Sequence, residues 1–490
     1  MIQINKFLIN SFVLLSMFLL PTTSYADTTK CLVNADWLSS PSLPIEVTKS
    51  EDGGKSSSFC DFYQFSTQTY LYLMSPSAPG SSIRNFQVAA NFPLLEFNSD
   101  GTPADSCDEI VQGSTLRTGL NKSSLSTEQA GGGATIYAQD GNVIYYDVRF
   151  NKTLCNQTAS AVEMYENTQI NFPAGTTELK FAWKKLSTAE ITSKTFVTQT
   201  QTVSGEAITL GLVGVHIVRA TEDHPEFVWS TYEHKINTPN CTPSSPPTTV
   251  TTDWTFASKA CVAALPGSAE ESACEFNEPQ KNLNSPEGAS TNICRVYPYG
   301  TASGDSNATT NISDIQQQNA NMLALFNQPT TPASMQVLKN YFNVGALWVS
   351  DTTQSSGGVG VPNERGSLRL ANSVAETDYQ HVNLTSKTFI SNCFGCHNYK
   401  GSSQYPSNNI TSQNLSHIFK DIKFGQNLAI DVTATNAEGV PVMVDSDTAL
   451  GICRSTCSNL TNYNGYKPNW NGDWTNLNAS AGYVCGCTLE

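Results

Sequence analysis

The sequence predicts an α+β, β-rich fold: an antiparallel β core, then a helical region, then a small disulfide-rich β module. Three observations carry that expectation. Stretches of period-two hydrophobicity cluster between residues 135 and 234, helix-start signals return after residue 300, and four of the 14 cysteines fall after residue 450.

The first 26 residues read as an address rather than as fold. Lys6 supplies a positive start, Phe7 to Leu20 an apolar run, and Ser24-Tyr25-Ala26 the small-residue pattern of a cleavage site. Cleavage after Ala26 predicts a periplasmic or secreted protein with no transmembrane segment remaining. The apolar run is short for a membrane span, and no later segment is longer. An uncleaved N-terminal anchor is the other reading. The chain carries 27 basic and 42 acidic residues, a formal charge of −15. Such a surface repels phosphates, and no basic, aromatic-interleaved stripe offsets it, so nucleic acid is excluded as a partner. An even cysteine count suits disulfides in an oxidising compartment, although pairing is not readable from spacing.

Five segments follow in order: a signal peptide (1–26), a β-rich N-terminal domain (27–240), a Pro/Thr-rich, Cys-containing connector (241–300), a region with a Cys-x-x-Cys-His (301–429) and a Cys-rich module (430–490). In the second segment, Ser58 to Met74 predicts a short amphipathic helix that the Pro/Gly/Ser run from Pro76 to Ser82 ends. Thr135 to Phe150, Glu178 to Leu186, Ile208 to Arg219 and Phe227 to His234 alternate as strands, the last two joined by a turn at Thr221 to Pro225. Cys241, Cys261, Cys274 and Cys294 are placed to tie the connector down. Ser313-Asp314-Ile315-Gln316 has capping-box spacing and predicts a helix to about Phe326. Thr331-Pro332 predicts another through Met335, Leu338 and Phe342.

The strongest chemical signal is Cys393-Phe394-Gly395-Cys396-His397. Two thiols three positions apart can form thioethers to the two vinyl groups of one haem while the following imidazole reaches its iron. Cys393, Cys396 and His397 are therefore the predicted attachment points and proximal ligand of a single haem c, with His397 on the iron. A structural disulfide, a thioredoxin-like dithiol and a zinc site are the competing readings. The last two lack, respectively, a visible βαβ context and a second ligand pair. For the iron's sixth position an imidazole is expected. His216, inside an apolar strand where it must find a partner, stands ahead of His417 and His234, and His224 is expected in solvent.

Over residues 58 to 400 the chain resembles the large secreted cytochrome c family proteins of proteobacteria. The stretches carrying the resemblance include Phe62-Tyr63-Gln64-Phe65, Phe172-Pro173-Ala174-Gly175, Leu210 to Val218 and Trp229-Ser230-Thr231-Tyr232-Glu233-His234 with Asn237 and Pro239. Tyr341-Phe342 with Trp348, Leu370-Ala371-Asn372-Ser373 with Glu376-Thr377, and the Cys-x-x-Cys-His itself follow in order. That resemblance implies a haem protein without implying a substrate.

Residues after 430 are similar to a mannan-binding lectin module known from cyanobacteria. Cys453-Arg454-Ser455-Thr456-Cys457, Trp470-Asn471-Gly472-Asp473-Trp474-Thr475 and Cys485-Gly486-Cys487 carry the similarity. It implies a mannose-type glycan held at Trp470, Gly472, Asp473 and Trp474. Met443 stands where that module has a second tryptophan and Asp473 where it has glutamine, so a disulfide-stapled cap is the competing reading.

The function expected from these features is electron transfer between this haem and a redox partner protein. A peroxidase-like haem enzyme and a carbohydrate-binding cell-surface protein are the alternatives. No catalytic motif of a non-haem enzyme is present, so no catalytic residue is assigned.

Overall fold

In a computed structural model, the described residues are 31–47, 57–88, 90–92, 135–154, 172–203, 206–242, 245, 254–259, 276–277, 290–351, 363–377, 380, 392–397, 415–416, 430–434, 452–457, 468–477 and 482–489. The expected signal peptide, Cys261, Cys274, His381 and His417 lie outside them.

A seven-stranded antiparallel sheet organises the chain. Its strands are β1 (Ile144–Phe150), β2 (Thr177–Lys185), β3 (Thr198–Val203), β4 (Glu206–Arg219), β5 (Val228–His234), β6 (Tyr341–Val349) and β7 (Glu364–Gly366). The spatial order is β1-β2-β4-β5-β6-β7, with β3 paired to the first half of β4. β5 is buried at all seven positions and β4 over most of its length. Both faces of the sheet are covered, so β4 reads as a near-continuous apolar run and even the polar residues of β5 are buried.

One face is covered by helices α2 (Phe59–Met74) and α4 (Ala308–Phe326); short α1 (Asp36–Ser39) and α3 (Thr188–Ser193) precede α4 in the chain. Ser58 caps α2 with a full capping box: its hydroxyl accepts from the Asp61 amide, and its own amide donates to Asp61. Phe62 stacks on Trp348 with ring centroids 3.8 Å apart, and Tyr70 on Tyr232 at 3.9 Å. Burying each such ring stabilises the fold by about 2 kcal/mol. Thr67 donates to Gln318 at 2.7 Å, pinning the two helices within their buried seam.

Several local expectations change. The helix expected from Ser313 begins at Ala308, and the supposed capping residues lie inside it, where Gln317 donates to the Ser313 hydroxyl. The helix after Thr331-Pro332 is only α5 (Ala333–Gln336) plus one 3-10 turn, and Phe342 belongs to β6. β6 pairs with β5 from Trp229↔Leu347 to His234↔Tyr341. The sheet thus takes strands from both the 27–240 and the 301–429 segments.

Disulfides join Cys31 to Cys60 and Cys241 to Cys294. In the C-terminal segment, β8 (Ile430–Ala434), β10 (Gly482–Leu489) and β9 (Pro468–Leu477) form an antiparallel sheet in that order. A disulfide joins Cys485 of β10 to Cys453, on a helix over 452–457, and Cys457 is disulfide-bonded as well. Among the described residues, no helix is long and apolar enough to cross a membrane.

Candidate haem-attachment site

The Cys-x-x-Cys-His forms one helical turn, α6 (Cys393–Cys396), on the sheet face opposite α2 and α4. Asn392 caps it by accepting from the Gly395 amide at 2.8 Å. The same amide side chain donates to Glu364 at 2.7 Å and to the Leu368 carbonyl at 3.1 Å, tying the turn to β7 and the loop after it. His397 follows as the helix ends, its amide bonded to the Cys393 carbonyl at 2.7 Å. Phe394 is fully buried with Leu415, Val218, Trp229 and Leu347.

The imidazole itself is oriented. His397 Nδ1 lies 3.0 Å from the Leu415 carbonyl, which can only accept, so Nδ1 carries the proton. This assigns Nε2 as the nitrogen with the lone pair. Metal-bound histidines characteristically donate their other ring nitrogen to a carbonyl or carboxylate in this manner. Trp229 packs against the ring with centroids 4.7 Å apart and meets Phe394 edge-on at 5.8 Å.

Two further observations bear on whether a haem suits these residues. The indole Nε1 of Trp229 is buried without an acceptor among the described residues, a deficit worth about 1–3 kcal/mol. A haem brings two propionates, acceptors of the kind this donor lacks. The Cys393 side chain is half-buried beside the apolar cluster of Phe394 and Trp229, as an attachment thiol in a low-polarity wall would be. The residues fit the group.

Next along the same face stands a charged cluster that sequence reasoning saw only in part. Registers Lys180↔His216↔Thr231 and Glu178↔Val218↔Trp229 place these side chains together on the Trp229 face. His216 Nε2 is 2.8 Å from Glu376 Oε1, so the expected buried imidazole has found a carboxylate. Its use as an iron ligand would require that pair to open or Nδ1 to serve. Burial pushes the Glu376 carboxyl up, but His216, Lys180 and the Asn372 amide together hold it below its usual range. Glu178 accepts from the Ser416 hydroxyl at 2.6 Å, and burial raises its carboxyl to about 7 despite that bond and the nearby Lys180 and His216. Leu415 and Ser416 are consecutive, so one short segment touches both His397 and Glu178.

His234 and His224 find their partners within the fold. His234 bonds the Thr195 carbonyl at 3.1 Å and stacks on Phe196, and burial lowers it to about 4. His224, expected in solvent, is buried with Nδ1 2.9 Å from Glu226 and its ring edge-on to Phe62. The charged turn that suggested exposure folds inward because Glu226 supplies the partner. His417 lies outside the described residues.

Two of the motif stretches, those holding Thr231 and Glu233 and holding Asn372 and Ser373, meet in a buried polar knot on the same face. Glu233 accepts from Ser373 through both amide and hydroxyl at 2.7 Å and pairs with Arg295 at 2.5 Å. Asn372 donates to Thr231 at 2.8 Å, and Gly214 leaves it room, since a Cβ there would stand 2.7 Å from the Asn372 oxygen. These residues hold the loop over 367–377 against the sheet. Arg295 and Asn372 had no sequence signal of their own beyond the motif around Asn372.

Trp470, Gly472, Asp473 and Trp474 lie on β9, with Trp470 opposite Cys487 and Trp474 opposite Cys485 in the ladder with β10. Among the described residues, no group of three or more His, Cys, Asp or Glu stands ready to hold a metal ion by itself. Compared with family models, with curated proteins and with solved structures, the chain matches none.

Proposed function

We propose that this chain is an exported c-type cytochrome that carries one haem on Cys393, Cys396 and His397 and passes electrons to a redox partner. The observation that carries the reading is the His397 Nδ1 bond to the Leu415 carbonyl, at the end of a helical turn that begins on Cys393. When bound, the haem iron supplies a one-electron couple. The chain's own part is to fix two thiols one helical turn apart, aim the imidazole, and keep water away with Trp229 and Phe394. Electron transfer is favoured over peroxidase chemistry because the carboxylates Glu178 and Glu376 are engaged, by Ser416 and His216, rather than standing open to a peroxide. The sugar-binding reading attaches to β9 alone and rests on its sequence.

Expressed with its leader in a bacterium that attaches haem to c-type cytochromes, the protein should keep a haem stain on a denaturing gel. Cys393→Ala together with Cys396→Ala should abolish it. A colourless wild-type protein from that host overturns the reading.

A further inference from the structure

On the α2 face, away from the Cys-x-x-Cys-His, a cleft of about 560 Å³, counting the part open to solvent, lies between the end of α2, the segment 90–92, residues 151–152 and the adjoining ends of β2 and β4. Arg219, the last residue of β4, lines it and is 95% buried, being 5% exposed. Arg149 meets Asp147, Arg295 meets Glu233 and Arg369 meets Asp305, whereas the half-buried Arg84 bonds the carbonyls of Met74 and Ser334. Arg219 likewise meets neutral oxygens, Thr177 Oγ1 at 2.8 Å, Pro44 O at 3.1 Å and Gly175 O at 3.5 Å. Among the described residues its Nε–H has no acceptor and it makes no ion pair. A buried cation without a counter-charge is costly in a fold, and in a chain of net charge −15 it is also out of keeping. Burial holds its basicity down to about 10, consistent with an uncompensated charge. The exposed Lys152 adds a second cation at the rim, while Leu43, Leu73 and Phe92 make the walls apolar.

We propose that this cleft binds a small organic monoanion, a carboxylate with a short hydrocarbon tail. The carboxylate takes the charge of Arg219, and the tail lies on Leu43, Leu73 and Phe92. A carboxylate with a tail is favoured over phosphate because Leu43, Leu73 and Phe92 offer apolar wall that a tail covers and a phosphate leaves bare.

Titration calorimetry of the full, oxidised protein with hexanoate, hexanol and inorganic phosphate tests this. Hexanoate should bind with a dissociation constant on the order of 1 mM, at least about tenfold tighter than either of the others. Lys152→Glu, at an exposed position, should weaken hexanoate about tenfold, and Ala90→Trp, which fills the cleft mouth, should abolish binding. Arg219→Gln should abolish it too; should that variant fail to fold, the two surface variants decide. Hexanol binding as well as hexanoate, phosphate binding better, or hexanoate binding that ignores Lys152→Glu and Ala90→Trp each overturns the proposal.

Discussion

Asn392 shows how much one side chain does at the turn over Cys393–Cys396. It caps the Gly395 amide and reaches both Glu364 and Leu368, so Asn392→Ala removes three bonds and leaves buried partners unsatisfied. A loss of about 2 kcal/mol is expected in chemical denaturation, with less haem attached per chain. Glu178 gives the pH dependence. Its carboxyl, ordinarily near 4.5, is raised to about 7 by burial, so between those values the folded chain holds a proton that the unfolded chain has released. Stability from this group is therefore present below about 4.5 and falls as pH rises through 7, by about 2 kcal/mol once its partial exposure is allowed for. His234, lowered from 6.5 to about 4, acts in the opposite sense, its contribution growing as pH rises through that window. Comparing wild type with Glu178→Gln isolates the glutamate. The variant should lack the decline between pH 5 and 8, and identical profiles would contradict the assignment. From sequence alone His216 was legible as a buried imidazole in need of a partner. Glu376, 160 residues away, was not, because nothing local in the chain announces a carboxylate supplied by a loop.

At the scale of elements, legibility followed the strength of local pattern. The helix over Phe59–Met74 was readable from its aromatic residues and the breakers after it, and the strands at Glu206–Arg219 and Val228–His234 from their alternation and the turn between them. β3, Thr-Gln-Thr-Gln-Thr-Val, was missed because its alternating residues are both polar, so period two carries no hydrophobic contrast. β6 was read as the tail of a helix because Met335, Leu338 and Phe342 happen to repeat at helical spacing. Pairing with β5 then overrides that local preference. Gly345 is the device that lets β6 pass the loop over 367–377. Its φ is 151°, and a Cβ there would stand 2.0 Å from the Ser367 hydroxyl and 2.8 Å from its Cβ. Gly345→Ala should cost about 2–4 kcal/mol by forcing Ser367 and its loop away from the sheet. Thermal unfolding measures this, and an unchanged midpoint would show that the loop yields freely.

Across the whole molecule, one sheet separates two kinds of work. Its α2 and α4 face is a dense aromatic core, with Phe62, Trp348, Tyr70 and Tyr232 stacked in pairs. Its other face holds the Cys393–Cys396 turn, the Glu178–His216–Glu376 cluster and the Glu233 knot. Trp229, Thr231 and Glu233, alternate residues of the motif from Trp229 to His234, face that second side against the loop Leu370 to Thr377, which explains polar residues there despite their burial. Signals for this arrangement are spread over more than 200 residues, so no window of sequence could have assembled it. The account stands or falls on the chemistry of residues 393–397. Mass spectrometry of the peptide that contains them, from protein exported by a host with working haem-attachment machinery, measures it directly. One haem bound through both Cys393 and Cys396 is the expected result; an unmodified peptide, or one closed by a Cys393–Cys396 disulfide, would overturn the proposed function.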